Sequence, residues 1–242
     1  MSRLADLRRF YNLLEGLRMR LGGMRTLATL SDFRDWPDRG LYFFFEASEI
    51  RNESGSGPKV VRVGTHALGA GSRSTLRQRL GQHRGQVAGG GNHRGSIFRL
   101  LIGQALIARR VIGPTVSWGL GPDIGEASAA LKIERAALAI AEATVERAAT
   151  NYIGAMPFLW IDIDDEPGPA SLRGFIERNS IALLSNHERA PLDSSSSEWL
   201  GLSSNRDLVR GSGLWNQRHV EETHDPAFLD VLERMVHATE QK

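Results

Sequence analysis

"RGLYFFFEASEI" (Arg39 to Ile50) and "KVVRVGTHAL" (Lys59 to Leu68) are two runs of aromatic and β-branched residues, separated by the polar, glycine-bearing "RNESGSGP". Such side chains fit the pleated surface of a sheet and the interval supplies a reversal, so the pair predicts a β-hairpin with a long loop. Tyr42 stands near Gly40 at the mouth of the first strand, and Arg62 stands near Gly64 in the second. A phenol and a guanidinium placed this way, each next to a residue without a side chain, are candidates for chemistry at the hairpin mouth.

Outward from the hairpin, helical spacing dominates. Leu4, Leu7, Phe10, Tyr11, Leu14 and Leu17 recur at threes and fours, predicting an amphipathic helix over Arg3 to Leu21 that ends at Gly22-Gly23. "STLRQRLGQHRG" (Ser74 to Gly85) begins with a serine suited to cap a helix, and its four-residue spacing puts Arg79 and His83 on one face. After the glycine-rich "QVAGGGNHRGS", "IFRLLIGQALIARR" reads as a mostly buried helix, and "IGPTVSWGLGPDIG" as loop with a short strand. Glu126 to Ile153 is alanine-rich and proline-free, predicting one helix of about seven turns. "FLWIDI" (Phe158 to Ile163) reads as a strand and "SLRGFIERNSIALLSN" (Ser171 to Asn186) as a helix. The remainder starts with polar residues and closes with a helix from about Pro226.

The 242 residues, 41% of them hydrophobic, suffice for one sizeable core or a core with an appendage. Net charge is only +2, yet the basic residues are almost all arginine, the lysines being Lys59, Lys132 and Lys242. Arginine's planar fork grips phosphate bidentately, which leans weakly towards nucleic acid, and an arginine-rich proteome from GC-rich DNA would look the same. The chain has no cysteine, so disulfides, thiolate zinc sites and cysteine nucleophiles are excluded together. No secretory-type apolar segment and no apolar run of about 18 residues occurs, so the reading is of an unexported, cytoplasmic protein with no membrane partner.

If the hairpin mouth, the next helix and the helix after the third strand converge, they gather Tyr42, Arg62, Arg79, His66, His83, His93, Glu177 and Asn186. This inventory suits phosphodiester hydrolysis: a carboxylate for one hard dication, arginines for phosphate charge, and a phenol or imidazole for water's proton. "GLY" at 40–42, "RVG" at 62–64, "LRQRLGQH" at 76–83 and "IERNSIALLSN" at 176–186, in that order, resemble the GIY-YIG nuclease family. The resemblance implies an α/β (α+β) domain with a small three-stranded antiparallel sheet flanked by helices, spanning 36–186, with a helical insertion at 126–153. A helical arm at 1–35 and an extension at 187–242 lie outside it.

It also implies metal-dependent cleavage of DNA with Mg²⁺ (or Mn²⁺). By position, Tyr42 matches the first-motif tyrosine that helps activate water, and Arg79 matches the arginine that holds the scissile phosphate. His83 matches a histidine several members carry one turn on, and His93 resembles one found after a glycine-bearing loop. Glu177 matches the metal-binding glutamate, and Asn186 the asparagine that closes its motif. Arg62 departs from the pattern, standing where the family has tyrosine. A guanidinium, with a pKa above about 12, accepts no proton at neutral pH, so that role falls to Tyr42 or a histidine, His66 being nearest.

Other readings compete. Glu134, Glu142 and Glu146 share one helix face, but they precede the third strand and read as a solvated or interdomain face rather than as the metal ligand. "AGGGNHRGS" lacks the GK[ST] ending of a nucleotide loop, and the histidine spacings match no common zinc pattern. Trp215 and His219 in "GLWNQRHV" read as packing. At the level of function, the alternatives are a nucleic-acid-binding module on the same scaffold without catalysis, and a structural or interaction protein in which the motif residues only pack.

Overall fold

The computed structural model of the chain describes residues 2–30, 36–86 and 88–239, so the end of the N-terminal arm, 31–35, falls outside the described residues. The order is α1 (Arg3–Arg20), β1 (Arg25–Thr26), β2 (Gly40–Ile50), β3 (Pro58–Thr65), α2 (Leu76–Arg84), α3 (Ile97–Ala108), α4 (Ile124–Leu131), α5 (Arg135–Ala155), β4 (Pro157–Asp162), α6 (Leu172–Leu184), α7 (Asp207–Ser212) and α8 (Phe228–Ala238).

The hairpin forms as expected, and β2 lies at the centre of an antiparallel sheet ordered β1-β4-β2-β3. The sheet thus has a fourth strand, β1, whose two residues pair with Phe158 and Pro157 and are too few to leave a pattern in the sequence. Leu41 to Phe45 are all buried because both faces of β2 are covered. Successive side chains alternate between the faces. Phe43 turns to α1, its ring 5.8 Å from Phe10. Tyr42 and Phe44 turn to the opposite face, where Phe44 meets Phe98 of α3 at 5.5 Å and Phe158 of β4 at 5.1 Å.

On that second face β3 sets Gly64 against Tyr42 and Arg62 against Phe44. A methyl group on Gly64 would collide with the Tyr42 phenol, so the missing side chain is the space the tyrosine ring occupies. Gly64→Ala is expected to cost about 1–3 kcal/mol through overpacking, seen as a lower urea midpoint at unchanged slope. An unchanged midpoint would show that the Tyr42 ring gives way freely.

The arm and the extension belong to the same core as the sheet: one hydrophobic cluster runs from Leu7 and Phe10 through the strands to Trp199, Trp215, Phe228 and Leu232. α8 lies along α1, with Phe10 and Phe228 rings 6.4 Å apart and Arg9 reaching Asp230 and Glu233 at 2.6 Å each. The free edge of β3 is covered by the chain after α7. Trp215 N–H donates to Val61 O (2.7 Å), while the Asn216 side chain accepts from Val63 N–H (3.1 Å) and donates to Val63 O (2.8 Å). An amide thus completes the ladder on an edge that would otherwise present unpaired backbone groups.

Three local expectations change. The alanine-rich segment is two helices, because Lys132 adopts a left-handed conformation (φ 56°) that ends α4, with Ile133 N–H and the Ser128 hydroxyl closing the turn. Residues 112–123 contain no strand, only turns leading to Asp123, whose carboxylate caps α4 through Gly125 and Glu126 N–H. The cap of α2 is Thr75 rather than Ser74, since Thr75 and Gln78 form a reciprocal capping box.

Candidate active site

β3, α2, α6 and the segment after Trp215 enclose an open cleft of about 620 Å³ lined by Arg62, His66, Arg79 and Glu177, among others. Arg62 is buried at 6% exposure, donates from Nη1 to Trp215 O (2.6 Å) and lies 4.7 Å from the Phe98 ring centre. Its Nε has no hydrogen-bond partner, and among the described residues no carboxylate pairs with it. Burial lowers its pKa, opposed by the Tyr42 oxygen beside it, but a guanidinium stays charged. Arg79 extends from α2 half-buried, donating to Gln82 Oε1 (3.0 Å) and to no other side chain among the described residues.

Glu177 stands on the second turn of α6, which starts where Ser171 accepts from Gly174 N–H. Its Oε1 accepts from Thr65 N–H (3.1 Å), and Oε2 has no hydrogen-bond partner among the described residues. Burial pushes the carboxyl above the usual carboxylate range, with the Thr65 bond and then the nearby Arg62 and Arg79 guanidiniums pulling the other way. Among the described residues no three His, Asp or Glu side chains gather to cage a metal. A single acceptor-only carboxylate with a free oxygen in an open cleft does fit a hard dication that takes its other ligands from water and phosphate.

The hydroxyl of Tyr42 is not open to this cleft. Tyr42 is fully buried, its Oη 2.7 Å from His83 Nε2, and His83 Nδ1 is 2.8 Å from Ser96 Oγ. The two rings form a closed polar relay behind Arg62, and burial followed by the charges of Arg79, Arg62 and Arg99 holds His83 well below its ordinary pKa. His66 lines the cleft but is buried; its Nδ1–H donates to Ser74 O (2.9 Å), leaving Nε2 with a lone pair and no partner. Burial above all, with Arg173, Arg79 and Arg39 nearby, lowers its pKa to about 4. A folded-state value below the unfolded one gives stability that is present above about 6.5 and is lost as the pH falls towards 4. His66→Gln should therefore flatten the decline of Tm over that window; an unchanged slope would place the acid sensitivity elsewhere, with His83 first in line.

Two candidates lie away from the cleft. His93 accepts from Gly119 N–H at Nε2 (3.1 Å), so its Nδ1 carries the proton and donates to Glu146 (2.9 Å), and its ring stacks on Trp118 at 3.9 Å. Asn186 spends its side chain on Arg3 and on both backbone groups of Leu192. Glu142 and Glu146, read as a solvated or interdomain face, are buried: Glu142 pairs with Arg94 (2.7 Å) and Glu146 with Arg99 (2.6 Å). They knit α5 to α3 and the loop before it.

Trp215, read as packing, is indeed buried, but the segment Trp215 to His219 also supplies the carbonyl that pins Arg62 and the fourth wall of the cleft. Its only outward sign was a tryptophan followed at once by polar residues. That arrangement gives a buried anchor with a hydrophilic run leaving it.

A family model for the GIY-YIG domain matches residues 1–242. The chain belongs to the GIY-YIG family. This GIY-YIG chain is thus placed among nucleases, whose members as a rule depend on a divalent metal and act on DNA. Comparison with curated proteins and with solved structures gives no significant match. No helix among the described residues is long and apolar enough to cross a membrane.

Proposed function

We propose that this GIY-YIG chain hydrolyses phosphodiester bonds of DNA with the help of a divalent cation, Mg²⁺ or Mn²⁺. The observation that carries the reading is the charge layout of one cleft. Arg62 is a buried guanidinium without a carboxylate partner among the described residues, the half-buried Arg79 adds a second guanidinium, and Glu177 turns a free carboxylate oxygen to the same space. A buried unpaired cation is costly, and a bidentate phosphate is the anion its fork fits. In this reading Arg62 and Arg79 hold the scissile phosphate and Glu177 holds the cation, which when bound neutralises charge on the phosphoryl oxygens. Tyr42, tied to His83, supports the Arg62 guanidinium from behind. The cysteine-free chain suits a reducing compartment, and a cytoplasmic location goes with it.

The closed state of Tyr42 favours a second reading, binding of nucleic acid without cleavage. Purified protein on supercoiled plasmid with Mg²⁺, Mn²⁺ or EDTA separates the two. Metal-dependent nicking supports hydrolysis. Salt-sensitive binding with no nicking under any metal supports the second.

A further inference from the structure

The second-motif position holds an arginine that takes no proton, and Tyr42 and His83 are sealed from solvent. His66 keeps a lone pair, but its Nε2 is buried. The segment that covers β3 brings one more imidazole to the cleft. His219 is 31% exposed and its Nδ1 lies 2.8 Å from Glu222 Oε1. A carboxylate only accepts, so Nδ1 bears the hydrogen and Nε2 keeps the lone pair. Glu222 is itself fixed by an ion pair with Arg178, next to Glu177 on α6, and its backbone carbonyl accepts from Arg189 (2.9 Å). His219 is held in a left-handed conformation (φ 65°) that non-glycine residues adopt at a cost, a strain kept by the bonds on either side of it.

We propose that His219 is the base that activates the attacking water, with Glu222 as the positioning residue that sets its tautomer. This rests on the hydrolytic reading above. The water proton passes to His219 Nε2 as the oxygen–phosphorus bond forms. The phosphorus–ester bond breaks, its electron pair leaves on the ester oxygen, and that oxygen is protonated by solvent. A carboxylate on Nδ1 fixes the tautomer and the ring's orientation, which leaves Nε2 as the acceptor. The charges that bear on it come from every wall: Glu222 and Arg218 on its own segment, Glu177 and Arg178 on α6, Arg62 on β3, and Arg79 on α2.

The test is single-turnover nicking of supercoiled plasmid with Mg²⁺ across pH 5 to 9, with plasmid binding measured in Ca²⁺ and folding by thermal melt. His219→Ala should slow nicking by about 10²-fold or more, keep plasmid binding, lose the acid limb of the rate profile, and regain rate with added imidazole. Glu222→Gln should slow it less and move that limb. His219→Gln replaces the alanine variant if the latter melts early. Nicking at the wild-type rate by either His219 variant, or a slow rate that keeps the acid limb and ignores imidazole, overturns the assignment and leaves the nuclease reading intact. A wild-type protein that nicks under no metal overturns both.

Discussion

Glu177→Ala is expected to abolish metal-dependent nicking, a loss of about 10³-fold or more, while the protein folds as before. Among the described residues its carboxylate is the one that lines the cleft, with an oxygen uncommitted to the protein, so no neighbour there can take over a cation. The fold should survive because the remaining bond, from Thr65 N–H, lies in a strand already held by β2 on one side and the Asn216 amide on the other. Glu177→Gln sharpens the test. Burial raises the carboxyl's pKa in the folded state, so the folded protein binds the extra proton and stability falls as the pH climbs through the raised value. In EDTA the glutamine variant should therefore be at least as stable as the parent at neutral pH, and inactive with Mg²⁺. Retention of nicking by either variant removes Glu177 as the metal ligand.

Arg62→Met is expected to separate activity from stability. The side chain is buried without a carboxylate, over the ring of Phe98, and an apolar chain of similar length fills that place without desolvating a charge. Against that stands the carbonyl of Trp215, which loses its donor and costs about 1–3 kcal/mol. The two effects offset, so the urea midpoint should hold or rise, whereas nicking should fall by about 10²–10³-fold through loss of phosphate stabilisation. Arg62→Lys keeps the charge but not the fork, and should recover only part of the rate. A methionine variant that is both destabilised and fully active would assign Arg62 to structure.

Much of this was legible from short-range pattern. The hairpin, α1, α2, α3 and α6 follow from spacing and from residue type, whereas Glu177, on the helix after β4, was singled out by the family resemblance. What escaped has physical causes of three kinds. β1 is too short to show a period. The break at Lys132 has no glycine or proline to announce it; a lysine takes the left-handed turn because Ser128 closes it from within. The pairing of Arg94 and Arg99 with Glu142 and Glu146 joins side chains about fifty positions apart, and a charged helix face gives no hint that it will be buried. Tyr42 shows the limit most clearly. Its motif position was readable, but the closure of its hydroxyl by His83 and Ser96 is a matter of packing across three elements.

The seam between β3 and the Trp215–Asn216 segment also fixes an order of events in making the protein. The contacts that hold Arg62 and complete the strand's edge join residues 153 positions apart. A ribosome adding about 5–20 residues per second will have exposed the hairpin for several seconds before its partner emerges. During that interval the strand edge is bare and the guanidinium lacks its anchoring carbonyl. A nascent chain therefore carries Glu177, Arg62 and Arg79 before the cleft that gathers them is complete. On the hydrolytic reading, the cleft is complete only when the late segment docks, so chains abandoned before residue 215 should not nick DNA.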